Sequence, residues 1–142
     1  MQAYGCLLRK QDGKPLRYLV VDDSGFARLN LRRLVEMYGG VVAGEARDGR
    51  ESIEAYSKLL PDIVLMDVTM PDMEGIEAAE HIITSHPEAR IVMVSSVGYQ
   101  ANISEALRKG ALHFVQKPPN PEVLYDAIKH VLGEDVTTMA TA

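Results

Sequence analysis

Five short apolar runs in this sequence are each followed at once by a polar residue or a turn, and four of the followers could do chemistry. Asp22-Asp23 follow the run 18–21, Asp67 follows Ile63–Met66, Ser95-Ser96 follow 91–94, and Lys117-Pro118 follow a weaker run at 112–116. Three acids gathered at one place repel, and they stay ionised at neutral pH at tolerable cost only with a cation among them. Carboxylate oxygens with neither His nor Cys nearby suit Mg²⁺ better than zinc. Any one of these acids alone is as readily a solvated loop residue or a helix cap. An isolated Ser or Lys at a strand end is more often a cap or a solvated side chain. Together, a hydroxyl and an ammonium facing three carboxylates form a receptor for an anion with a divalent cation beside it. A phosphoryl group fits that description. Its acceptor would be one of the carboxylates, because no paired Ser/His or Cys/His nucleophile is evident.

That chemistry requires the runs to be neighbouring strands. The runs 18–21, 41–43, Ile63–Met66, 91–94 and 112–116 are short and largely β-branched, and the segments between them repeat apolar residues three and four apart. Ala27, Leu31, Leu34, Val35 and Tyr38 give one such stripe, and Leu124, Ala127, Ile128 and Val131 another. Ser24 is a candidate N-cap, Gly39-Gly40 and Gly110 stop helices, and Asn120-Pro121 opens the last one. Strands that are apolar throughout are buried on both faces, so helices cover both sides of a parallel sheet. The fold expected is α/β, a doubly wound five-stranded (βα)5 parallel sheet. Its site lies at the carboxyl ends of the strands, where the strand order reverses. Residues 1–16 show no period and carry turn signals at Asp12-Gly13 and Pro15, so they are expected to form an N-terminal extension outside the core. The domain is expected over 17–134, with a C-terminal tail at 135–142.

Composition excludes several other classes. A chain of 142 residues and 15.6 kDa holds one compact domain, since a domain takes about 100–200 residues. The formal charge is −5 and no Lys/Arg run stands out, which disfavours nucleic acid as a partner. Cys6 is the single cysteine, so neither an intrachain disulfide nor a Cys-based zinc site is possible. The apolar runs fall far short of the roughly 18 residues that span a bilayer, and no signal-peptide core is present. A soluble cytoplasmic protein without membrane contact is expected.

With Asp22-Asp23, the segment from Met66 through Asp67, Thr69, Pro71 and Asp72 to Gly75, Ser95-Ser96 and Lys117-Pro118 in this order, the sequence resembles the response regulator receiver domain of two-component signalling over about residues 17–132. The resemblance implies a flavodoxin-like fold and a phosphoprotein rather than an enzyme, with slow self-dephosphorylation only. It implies that Asp67 accepts a phosphoryl group from a histidine kinase. Asp22, Asp23 and Asp67 would hold Mg²⁺, with the backbone carbonyl of Thr69 as a further ligand. Ser95 stands where the family has Thr or Ser, and Lys117 where it has a Lys followed by a cis-prolyl bond. Phe114 takes the place of a switch aromatic, often Tyr, and brings no phenolic hydroxyl. Phosphorylation is expected to draw Ser95 inward, letting Phe114 turn into the space behind it and changing the surface 103–109, Phe114 and 119–129.

The chain ends about ten residues past the last helical pattern, so no effector domain is expected and a monomer is expected to act by binding a partner. The run from Ser95 to Gln100 and the compact length resemble stand-alone chemotaxis regulators, which bind a flagellar-motor switch protein. The alternative output is a phosphorelay carrier that passes phosphate to a histidine phosphotransfer protein. Thr69 and Val97 would flank the path of a hydrolytic water. His81, His86, His113 and His130 lack metal-ligand spacing and are assigned nothing. Met66 and Met93 read as core. A haloacid-dehalogenase-type phosphohydrolase needs a second acid two residues after the nucleophile, where this chain has Thr69. No phosphate-binding G-x-x-x-x-G-K-[ST] loop follows the first run.

Overall fold

The computed structural model describes residues 4–71, 73–96, 100–111 and 113–139. In chain order the elements are β1 (Cys6–Arg9), β2 (Arg17–Val21), α1 (Gly25–Met37), β3 (Val41–Ala46), α2 (Gly49–Leu59), β4 (Ile63–Met66), α3 (Gly75–Ser85), β5 (Ile91–Ser95), α4 (Gln100–Arg108), β6 (His113–Gln116), α5 (Pro121–Leu132) and β7 (Val136–Met139), with a single 3₁₀ turn at Gly133–Asp135. Strands β2 to β6 form one parallel sheet in the order β3-β2-β4-β5-β6. The order reverses at β2, whose neighbours are β3 and β4. This is the doubly wound, flavodoxin-like architecture expected from the sequence.

Side-chain alternation along each strand divides the core into two layers. Tyr18, Val20, Ile63, Leu65, Val92 and Val94 pack with α1 and α5. Leu19, Val21, Val64, Met66, Ile91 and Met93 pack with α2, α3 and α4. Every residue of β4 and β5 is buried, which explains why β4 is apolar throughout and β5 apolar up to Ser95. Helix starts follow local chemistry. The Ser24 side chain accepts from the Ala27 N–H, and Asn120 accepts from Glu122 and Val123 with Pro121 in the first turn.

Register decides where the polar residues land. Val21 pairs with Met66, Met66 with Met93, and Ser95 with Gln116, so the residues that follow these strands emerge along one rim.

The expectation that 1–16 lie outside the core does not hold for the described part of that segment. β1 pairs antiparallel with β7, with Cys6 opposite Met139 and Arg9 opposite Val136. Leu7 and Leu16 are fully buried in the layer under α1 and α5. The Tyr4 ring sits against Tyr38 and Tyr125, at centroid separations of 5.5 and 4.9 Å. The Leu7 N–H donates to the Tyr38 carbonyl (2.9 Å) and the Lys10 N–H to that of Asp135 (3.0 Å). Burying apolar side chains while satisfying backbone donors is what holds the segment down. The tail expected from residue 135 supplies the other strand of this ribbon. The last sheet strand begins at His113; Leu112, expected to open it, lies outside the described residues.

Candidate functional site

The four strand-end groups converge. Asp22 follows β2 and is 1% exposed; Asp67 follows β4 and is 6% exposed; Asp23 is exposed. One carboxylate oxygen from each lies within 4.8 Å of the other two. The Lys117 Nζ is 2.5 Å from Asp22 Oδ2 and 3.6 Å from Asp67 Oδ2, which places its ammonium against both buried acids. The Lys117-Pro118 peptide is cis. The Ser95 hydroxyl and the Thr69 backbone N–H both favour the charged form of the Asp67 carboxyl.

Local structure explains the precision. Asp22 is held by its own N–H, which donates to the Ala46 carbonyl (3.1 Å), and by its Oδ1, which accepts from the Ser24 N–H (2.9 Å). The backbone of Asp67 is anchored by its N–H to the Val21 carbonyl (2.9 Å). The chain after Asp67 turns back so tightly that a Cβ on Gly75 would meet the Asp67 carbonyl oxygen at 1.9 Å, so only glycine fits there. The Gly75 N–H closes the turn on the Val68 carbonyl (2.7 Å).

Burial, with the Asp22 carboxylate beside it, pushes the Asp67 carboxyl above the usual carboxylate range; Lys117, Ser95 and the Thr69 amide oppose the shift. A buried carboxylate held as an anion in a cluster of acids calls for a cation. The donor set is three hard oxygens with no nitrogen or sulfur ligand, and it fits a Mg²⁺-type ion. Among the described residues no histidine belongs to any metal-compatible group.

Ser95 differs from its expected resting position. Its side chain is fully buried at the end of β5, where its hydroxyl already favours the charged form of Asp67. Phe114 is half-buried on β6, opposite Met93, and packs against the layer under α2, α3 and α4. Met66 and Met93 are core, as expected. Thr69 is exposed beside the site, and Val97 lies outside the described residues. Sequence reasoning missed Arg28, whose Nη1 donates to the Asp22 carbonyl (2.7 Å), and the packing role of Gly75.

Comparison with known proteins agrees with this arrangement. The family model of the response regulator receiver domain matches residues 18–129. The chemotaxis protein CheY of Thermotoga maritima is 44% identical over 115 residues, which is 81% of this chain and 96% of that protein. The CheX-CheY-BeF3-Mg²⁺ complex of Borrelia burgdorferi contains a chain that superposes with a TM-score of 0.86 at 30% identity, covering 89% of this chain and 96% of that one. The response regulator domain of Thermotoga maritima CheB superposes with a TM-score of 0.79 at 35% identity, covering 86% and 99%. The matched span runs from β2 into α5 and takes in both acid-bearing strand ends, Ser95 and Lys117, so the chain belongs to the response regulator receiver domain family.

Proposed function

We propose that this protein is a single-domain response regulator of chemotaxis that accepts a phosphoryl group on Asp67 from a histidine kinase and, in that state, binds a protein partner. The observation that carries the reading is the position of Asp67: a buried carboxylate against Asp22, Asp23, Ser95 and Lys117 at the rim where the sheet order reverses. An oxygen of Asp67 attacks phosphorus, the P–N bond to the kinase histidine breaks, and the imidazole leaves with the electron pair and takes up a proton. Asp22, Asp23, Asp67 and the Thr69 carbonyl would hold Mg²⁺, which when bound neutralises the negative charge gathered there. The Lys117 ammonium and the Ser95 hydroxyl supply positive charge and a donor to the phosphoryl oxygens. Between phosphorylation and hydrolysis the protein is a phosphoacceptor switch, with slow self-dephosphorylation as its only chemistry.

Likeness to CheY proteins over nearly their whole length supports the chemotaxis reading, with a flagellar-motor switch protein as the partner class. The Borrelia CheY solved with BeF3, Mg²⁺ and CheX supports both the metal and a protein partner. Among the described residues no helix is long and apolar enough to cross a membrane; likeness to CheY proteins supports work in the cytoplasm. Phosphorylation replaces the carboxylate facing buried Ser95 with a bulkier, stronger acceptor, so the end of β5 readjusts and Phe114 with it. One or two new charge-assisted bonds, each worth about 1.5–3 kcal/mol, are enough to bias a two-state surface 10-fold or more.

Incubation with a small phosphodonor and Mg²⁺ should add a single phosphoryl mass, lost in EDTA and in Asp67→Asn. An undiminished adduct in Asp67→Asn would refute the assignment. Titration of a motor-switch peptide and of a histidine phosphotransfer protein, with and without beryllofluoride, separates the outputs. Binding by the phosphotransfer protein alone would establish the phosphorelay reading instead.

A further inference from the structure

The β2–α1 turn is tied to the edge strand β3 through one side chain. Arg28, one turn into α1 and 17% exposed, points two arms in different directions. Its Nη1 donates to the Asp22 backbone carbonyl at 2.7 Å, and its Nε meets Glu45 Oε1 at 3.0 Å. Arg32, one turn further along α1, takes the other oxygen of Glu45. Glu45 is thereby fixed from two sides, and Arg32, with Arg28, holds its carboxyl below the usual range against the opposite push of burial. The guanidinium of Arg28 is braced from behind by a carboxylate and aimed forward at the acid pair.

The Asp22 carbonyl belongs to the planar peptide that joins Asp22 to Asp23. Fixing that oxygen fixes the plane, and the plane sets the direction in which the Asp23 side chain leaves the backbone. Asp22 has other anchors in Ser24, Ala46 and Lys117. The Asp23 carboxylate, by contrast, makes no hydrogen bond or ion pair among the described residues, so its aim depends on the backbone it hangs from.

We propose that Arg28, braced by Glu45, is a positioning residue that holds the Asp22–Asp23 peptide so that Asp23 is aimed at the ion. The inference rests on the reading that the three aspartates hold Mg²⁺. It makes a prediction opposite in sign to that of charge alone. Removing a cation near three acids should tighten Mg²⁺ binding if Arg28 acts only through its charge. If Arg28 positions the acid pair, removing it weakens binding, and loss of an outer partner of a metal ligand typically costs about 10- to 100-fold.

The test is calorimetric titration of the unphosphorylated protein with Mg²⁺ alone, in wild type, Arg28→Met, Arg28→Lys and Glu45→Gln. Arg28→Met should bind about 10-fold more weakly. Arg28→Lys should also bind more weakly, because an ammonium cannot fork between the two acceptors. Glu45→Gln should fall between these and wild type. In the phosphodonor reaction followed by mass, the change should appear in the Mg²⁺ concentration giving half-maximal rate rather than in the rate at saturating Mg²⁺. Unchanged or tighter Mg²⁺ binding in Arg28→Met overturns the proposal, as does a lower saturating rate with unchanged Mg²⁺ affinity. If Arg28→Met shows no cooperative melt in EDTA, Arg28→Lys and Glu45→Gln decide by the same criterion. A wild type that binds no Mg²⁺ refutes the positioning role. A wild type that binds Mg²⁺ in an Arg28-dependent way but takes no phosphoryl group leaves the positioning role intact and refutes the functional reading.

Discussion

Asp67 is 6% exposed and shares its surroundings with the buried Asp22, so its ionised form costs the folded protein free energy. Because its folded-state carboxyl sits above the ordinary range, the native state binds this proton more tightly than the unfolded chain does. The destabilisation is complete above the folded value and fades as pH falls through it toward the unfolded value. Asp67→Asn should therefore melt higher than wild type in EDTA at neutral pH, and the advantage should shrink as the buffer is made acidic. Thermal melts from pH 7 downward measure this. A constant difference between the two proteins would mean that the carboxylate is not under electrostatic load. Glu45 has the opposite sign: its lowered carboxyl stabilises the fold above the unfolded value, and that contribution is lost as pH falls through the folded value.

The ribbon of β1 and β7 lies at the rim where the sheet strands begin, with Arg9 3.7 Å from Asp62, the residue before β4. Leu7 is buried there at 0% exposure, and Leu7→Ala should cost about 2–4 kcal/mol in urea unfolding while leaving the Asp67 phosphoryl adduct unchanged. A loss under about 0.5 kcal/mol would show that the ribbon is decoration. The strands of the main sheet were legible because burial on both faces demands unbroken apolar runs, and Ile63–Met66 matches its run residue for residue. β3 extends past its run to Ala46, because Gly44 and Glu45 on an edge strand need not be apolar. β1 and β7 were not legible: each is four residues long, each docks by few side chains, and its partner is at the far end of the chain. The acid pair, Asp67, Ser95 and Lys117 could be found because each ends or directly follows a strand. Arg28 could not, because it acts through a backbone carbonyl, an acceptor that every residue carries and no spacing marks.

Metal binding should show in the stability of the entire fold, since an ion that binds only the native state stabilises it by mass action, about 2.7 kcal/mol at a hundredfold excess over Kd. The melting temperature should rise with Mg²⁺ in wild type. Asp23→Ala should abolish most of that rise and melt higher than wild type in EDTA, since one of the clustered charges is gone. A Mg²⁺ response that survives in Asp23→Ala would put the ion elsewhere. Partner binding is linked to phosphorylation in the same way. Whatever factor phosphorylation adds to partner affinity, the partner must return to the phosphorylated state's stability. The antiparallel ribbon also has a consequence for construction. With Cys6 directly across from Met139, the polypeptide enters and leaves the domain at a single point on the rim remote from Asp67. A domain wired this way can be spliced into a surface loop of a host protein without prying the loop ends apart, and the rim that carries Asp67 then faces away from the graft.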